Sequence, residues 1–459
     1  MSEVDGITIT DTSGHAEGDR AETETDLARL RRIADPTTGI ITGVRRVPVP
    51  PDEPTIESYV VERADFEPLT DGTAMPHEEG GCGFSREVAL VATYGEAIER
   101  YCGCLYRQDA FRTASYVDLS KAVRESAPKS AVDPTDIVSF SAQQRASMAG
   151  SASLCGTDDE LSWTVGEDLD SGADTYVPAQ LVYLSYPTSA EPFVRNPIST
   201  GLAAGPSRPM AIRNGLCELV ERDAFMIWYL NETELPIVDL DTAPPRLRRL
   251  ANRVTAQGLE LTVLDATTDL GVPVAIAILV DRSGGPAVTV AAAADPAAAA
   301  AIEGALEEAI QTRLWGIHNI DSMGRSPEEL TPDEITSFED RGLFWSVQER
   351  IADLDFWIES SRSTTVGEFE AADLGATDLV EQVIAAGYDC YAVDVTTRDI
   401  AALGFTVQRV IALRLQPLYL LERLRYFGGE RLYRTPVEMG YRDTQPTAES
   451  LNTVPHPFP

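Results

Sequence analysis

Lysine is nearly absent from this chain. Of its 37 basic residues only Lys121 and Lys129 are lysine, and the rest are arginine. Against them stand 73 acidic residues, which gives a net charge of −36 over 459 residues. A surface this negative repels nucleic acid and anionic membranes, so neither is expected as a partner. It suits a salt-rich cytoplasm, where self-repulsion is screened, and a halophilic source is expected. Long hydrophobic runs are also missing. The most apolar stretch, 271–280, is too short to span a bilayer, and no secretory signal is found, so a cytoplasmic location is expected. The six cysteines form no Cys-x-x-Cys, and His15, His77, His318 and His456 are scattered. No zinc constellation and no Cys–His or Ser–His pair can be argued from such spacing. The cysteines, Cys102-Gly-Cys104 included, read as reduced thiols of a cytosolic protein.

What the chain does have is one charged signature twice, in apolar surroundings. Glu96, Glu99 and Arg100 lie within VALVATYGEAIERYCGCLY, and Glu218, Glu221 and Arg222 within AIRNGLCELVERDAFMIWYL. Glu at i and i+3 with Arg at i+4 places all three heads on one helix face. Helices apolar nearly all round are buried, and buried carboxylates need partners. Two glutamates per arginine leave each segment short of about one positive charge. A facing pair of such helices therefore suits Mg²⁺, which takes oxygen ligands and shares them with phosphate. The alternative is an ordinary helix-stabilising ion pair. Each segment follows a glycine-containing loop, 80–83 and 199–205, with Ser85 and Ser207 as N-caps and Pro209 in the first turn. Free N–H groups at such helix starts favour anions.

The spacing predicts helices over 86–106 and 208–230 and a long helix in PAAAAAIEGALEEAIQTRLWGI. Strands are expected in ESYVVERADF, TYVPAQLVYLSY, LELTVLDAT, VAIAILVD, AVTVAAA, YDCYAVDVT and FTVQRVIALRL, an α/β alternation. The acidic stretch 140–175 reads as surface loop or hairpin, and residues 1–30 as a disordered acidic arm.

Together the segments GCGFSREVALVATYGEAIERY, LSWTVGEDLDSGADTYVPAQLVYLSY, STGLAAGPSRPMAIRNGLCELVERDAFMIWYL, YAVDVTTRDIAALGFTVQRVIALRLQPL and LYRTPVEMGY resemble the YcaO family, as does the Pro455-His456-Pro457-Phe458-Pro459 ending. The resemblance implies one large interwoven α/β (α+β) domain with mixed sheets and flanking helices over 31–440, then a tail over 441–459. It implies an ATP- and Mg²⁺-dependent cyclodehydratase of ribosomal peptide and bacteriocin biosynthesis, forming azolines from Cys, Ser or Thr. Peptide thioamidation, amidine formation and a non-catalytic docking scaffold are the alternatives. By the same resemblance Glu96, Glu99, Glu218 and Glu221 hold Mg²⁺. Arg100, Ser199, Thr200, Arg222 and Arg409 serve the nucleotide, and the Pro459 carboxylate is catalytic. Ala92, Thr200, Met210 and Asn214 depart from the family pattern near the nucleotide. The implied partners are a precursor peptide, a separate E1-like leader-binding protein and a flavin dehydrogenase, with the chain as a homodimer.

Overall fold

The computed structural model describes residues 25–66, 69, 77–122, 130–148, 154–370 and 379–458. Three sheets organise them. The first is antiparallel and made of β1 (Ile41–Arg46), β2 (Glu57–Arg63) and β3 (Glu78–Gly83) in that order. The largest runs β5-β7-β6-β14-β15-β8, and β4 (Arg112–Ser115) also pairs with β6. Its other strands are β5 (Ser130–Ala131), β6 (Glu160–Asp168), β7 (Asp174–Pro178), β8 (Leu202–Gly205), β14 (Cys390–Asp394) and β15 (Thr406–Ala412). The third sheet runs β12-β11-β10-β9-β13. Its strands are β9 (Ile237–Asp239), β10 (Glu260–Asp265), β11 (Val274–Val280), β12 (Val288–Ala294) and β13 (Ser363–Thr365). Sheets of mixed direction with helices between them bear out the expected α/β class.

Strand β11, VAIAILV, is buried at every position. Alternation sorts its side chains into two cores. Val274, Ile276, Ile278 and Val280 join one, while Ala275, Ala277 and Leu279 join the other. The period of two sends successive Cβ atoms to opposite faces, so a strand covered on both sides reads as a continuous apolar run. Three helices matter for the site: α1 (Arg86–Cys104), α2 (Arg208–Leu230) and α3 (Ala298–Asn319). Helix α3 supplies Ala298, Ala301, Ile302, Ala305, Leu306 and Ala309 to the second of those cores, a stripe at helical spacing.

The strand expected in TYVPAQLVYLSY stops at Pro178, where one helical turn, Ala179–Val182, takes over. Proline cannot donate to the next ladder bond. The acidic stretch 140–175 is not surface loop throughout. It holds the helix Ala142–Met148 and, as the hairpin alternative expected, the antiparallel turn from β6 into β7; within β6, Leu161 and Trp163 are fully buried. Leu27 and Leu30 are buried as well, so the part of the expected arm that is described docks on the body. All six cysteines are free and buried. No helix among the described residues is long and apolar enough to cross a membrane.

Candidate functional site

Helix α1 begins at Ser85, whose hydroxyl accepts from the Val88 N–H at 3.3 Å. Ser207 stands at the N-cap of α2 without a side-chain cap bond, and Pro209 falls in its first turn. The loop before α2 is held by close backbone approach. A Cβ on Gly215 would come within 2.7 Å of the Gly201 carbonyl oxygen, and Gly201 itself has φ 87°. Only glycine at both positions lets α2 lie against the loop.

The two helices present the repeated signature to one region. Glu99 Oε1 accepts from the Ala204 N–H of β8 at 2.8 Å, tying α1 to that strand. Glu218 Oε2 accepts from the Gly201 N–H at 2.9 Å. Arg100 pairs with Glu96 and lies 3.8 Å from Glu79 of β3. Arg222 pairs with Glu221 and, at 3.4 Å, with Glu218. A further carboxylate joins them from α3: Glu308 interacts electrostatically with Arg222, Glu218 and Glu96. Six carboxylates, Glu79 included, thus share Arg100 and Arg222.

The crowding shows in the protonation of these groups. Glu99 is only partly covered, yet burial pushes its carboxyl well above the usual range, and the neighbouring Glu96 adds to this. Glu221 is raised likewise by burial, with Glu308 and Glu218 opposing the pull of Arg222. Burial lifts Glu308 to about 7 against the pull of Arg222. Glu79 also reaches about 7 through burial, although Arg100 and Arg63 lower it. Desolvation and like charge both disfavour a carboxylate, and a divalent cation would relieve both. Among the described residues no three His, Cys, Asp or Glu side chains are already gathered as a metal cluster. Carboxylate oxygens are the donors a hard cation such as Mg²⁺ takes.

Arg409 lies on β15 and its guanidinium is directed at backbone. Nε donates to Leu181 O at 2.7 Å, Nη1 to Ser199 O and Thr200 O at 2.8 and 2.9 Å, and Nη2 to Ile198 O at 2.5 Å. Four of its five N–H groups are so engaged, which makes Arg409 the clamp of the loop carrying Ser199 and Thr200. Burial and the adjacent Arg195 push it down to about 9.

Below α2 the C-terminal segment runs through the core. Pro455 O accepts from Tyr229 Oη at 3.0 Å and Trp345 Nε1 at 3.1 Å, and His456 O accepts from Arg341 at 2.7 Å. Phe458 is fully buried, its ring centre 4.0 Å from the Arg222 guanidinium and 4.7 Å from the Phe225 ring. Pro459 lies outside the described residues. The sequence reading missed Glu308, Glu79 and Arg195. Glu308 carried the same signal as the others, a carboxylate in an apolar helix; nothing in the local sequence distinguishes Arg195.

Comparison with known proteins gives the family and the fold. The family model for YcaO cyclodehydratase, ATP- and Mg²⁺-binding, matches residues 80–415. An uncharacterized protein in the tfuA 3′ region of Rhizobium leguminosarum bv. trifolii is 36% identical over 123 residues, 26% of this chain and 29% of that one. An uncharacterized protein of Methanothermobacter thermautotrophicus is 30% identical over 207 residues, 44% of this chain and 47% of its own. The chain thus spans less than half the length of these two relatives. Among solved structures, a heterocyclase in complex with substrate and cofactor superposes with TM-score 0.74 at 22% identity, covering 95% of this chain and 57% of that one. YcaO from Methanopyrus kandleri, bound with AMPPCP and Mg²⁺, gives TM-score 0.62 at 19% identity, covering 91% of this chain and 95% of that one.

Proposed function

Because the chain belongs to the YcaO family, we propose that it is an ATP- and Mg²⁺-dependent cyclodehydratase that forms azolines in a ribosomally made peptide. The observation that carries this reading is that Glu96, Glu99, Glu218, Glu221 and Glu308, from three helices, act electrostatically on one another and on Arg100 and Arg222. These glutamates would hold Mg²⁺, and Mg²⁺ when bound would neutralise phosphate charge. Arg100 and Arg222 keep the glutamates oriented, and Arg409 fixes the Ser199–Thr200 loop beside them.

In this reading the side-chain thiol or hydroxyl of a substrate Cys, Ser or Thr attacks the preceding backbone carbonyl. The resulting oxyanion takes the γ-phosphoryl group of ATP, and phosphate departs as the C=N bond forms. The peptide loses one water per ring, and ATP becomes ADP and phosphate. Positioning and charge neutralisation are what such a transfer asks of the protein. The Pro459 carboxylate, following the anchored Phe458, is the group we assign to hold or deprotonate the substrate. A separate E1-like or leader-binding protein presents the peptide, a flavin dehydrogenase oxidises the rings, and the chain acts as a homodimer in a salt-rich cytoplasm.

The test combines purified chain, leader-binding partner, precursor peptide, ATP and Mg²⁺, with products read by mass. Loss of one water mass per ring, abolished in Glu221→Ala and suppressed when residues are appended after Pro459, is the expected result. Replacement of a backbone oxygen by sulfur would select thioamidation instead. Absence of any ATP turnover by the complete mixture would leave a docking scaffold.

A further inference from the structure

Arg195 is a cation in a chain dominated by acid, yet among the described residues no carboxylate pairs with it. Two other arginines at the site have carboxylates: Arg100 has Glu96 and Glu79, and Arg222 has Glu218 and Glu221. Arg195, itself partly buried, lies instead beside Arg409, a buried cation whose hydrogen bonds go to neutral carbonyls. Burial depresses its acid–base equilibrium below the usual arginine range, and only the Tyr426 phenol opposes that. With Arg222, Thr200 and Leu219 it lines a cavity of about 10 Å³, room for one oxygen atom.

Among the residues lining that cavity two buried donors lack partners, the Nε of Arg195 and the Nε of Arg222, as does one buried acceptor, the Oε1 of Gln416. A buried N–H without an acceptor is rare enough to demand an explanation. A water molecule would accept from both and donate to Gln416, but would leave the Arg195 charge uncompensated and Arg409 opposed by Glu218 alone. An anionic oxygen answers both deficits, and arginine forks suit phosphate and carboxylate alike. The cavity lies against Arg222, which holds Glu218 and Glu221.

We propose that Arg195 contacts the terminal phosphate of the substrate nucleotide, placing one phosphate oxygen between Arg195 and Arg222. This rests on the nucleotide reading above. The other source of the same chemistry is the carboxylate that follows Phe458.

The experiment uses the full chain with Mg²⁺ and compares the dissociation constants of AMPPCP and ADP for wild type, Arg195→Gln and Arg195→Lys, with melting temperatures in parallel. Loss of one charge-assisted hydrogen bond predicts about a tenfold weaker AMPPCP complex for Arg195→Gln. ADP affinity should change by less than about twofold, Arg195→Lys should fall between, and the nucleotide-free melting temperature should hold or rise. Equal loss for ADP and AMPPCP together with a lower melting temperature would overturn the proposal in favour of a packing role. Unchanged nucleotide affinity with the same heterocyclisation defect as a chain extended after Pro459 would overturn it in favour of the carboxylate. If wild type binds neither nucleotide, the nucleotide reading itself falls, and this contact with it.

Discussion

Truncating Phe458 tests whether the tail is part of the core or an appendage. Its ring is fully buried and meets both Phe225 and the Arg222 guanidinium. Removing a buried phenylalanine side chain costs about 3–5 kcal/mol. Losing the ring beneath Arg222 adds roughly 0.5–2 kcal/mol. Phe458→Ala should therefore destabilise by about 3.5–7 kcal/mol, a large part of a stability that is typically about 5–15 kcal/mol. Phe458→Leu keeps most of the apolar volume, so it should lose about 1 kcal/mol of packing and the cation–π contact. Urea unfolding in molar KCl, followed by circular dichroism and by tryptophan fluorescence, measures both variants. The two should separate clearly, with the alanine variant the weaker. An alanine variant within about 1 kcal/mol of wild type would refute the claim that this segment is structural. In that case Arg222 would be oriented by Glu218 and Glu221 alone.

Three other outcomes are expected. Glu79, Glu307 and Glu308 are each raised by burial to about 7, so the folded state keeps their protons at pH values where the unfolded chain has released them. The stability they contribute is complete below the unfolded value near 4.5 and is lost as pH rises through about 7; the metal-free protein in molar KCl should melt lower at pH 8 than at pH 5.5, and a flat profile would contradict this. Glu221→Gln, which removes one charge from the crowded carboxylates, should hold or raise the melting temperature of the metal-free protein while abolishing Mg²⁺-dependent ATP turnover; normal turnover would remove Glu221 from the metal site. Screening of a net charge of −36 should raise the melting temperature from low to molar KCl, where the Debye length is roughly 3 Å; a flat or falling curve would dismiss the salt adaptation.

Much of the site was legible because charge in an apolar helix is anomalous wherever it occurs. That anomaly marks Glu96, Glu99, Glu218 and Glu221, and applied to α3 it also marks Glu308. The long strands and helices were legible for the same reason, since their periods are imposed by burial on one face or two. Strand β6 was not, because its residues ELSWTVGED carry acid at both ends while Trp163 in the middle faces the core. Arg195 and Glu79 have no local mark at all. Arg195 meets Arg409 of β15, far from it in sequence, while Glu79 meets Arg100 only once β3 turns back along α1.

Glu99 and Glu218 each have one oxygen engaged with a backbone N–H, of Ala204 and Gly201 respectively. The rotamers of these two side chains are thus set before any ligand arrives, so little side-chain entropy remains to be lost when their second oxygens take a new partner. The same bonds mean that an alanine at either position unfastens a strand or a loop along with the carboxylate. Glutamine keeps the anchoring oxygen and removes only the charge. The difference between the alanine and glutamine variants at Glu99 and Glu218 is therefore a direct reading of how much of each side chain's role is mechanical and how much is electrostatic.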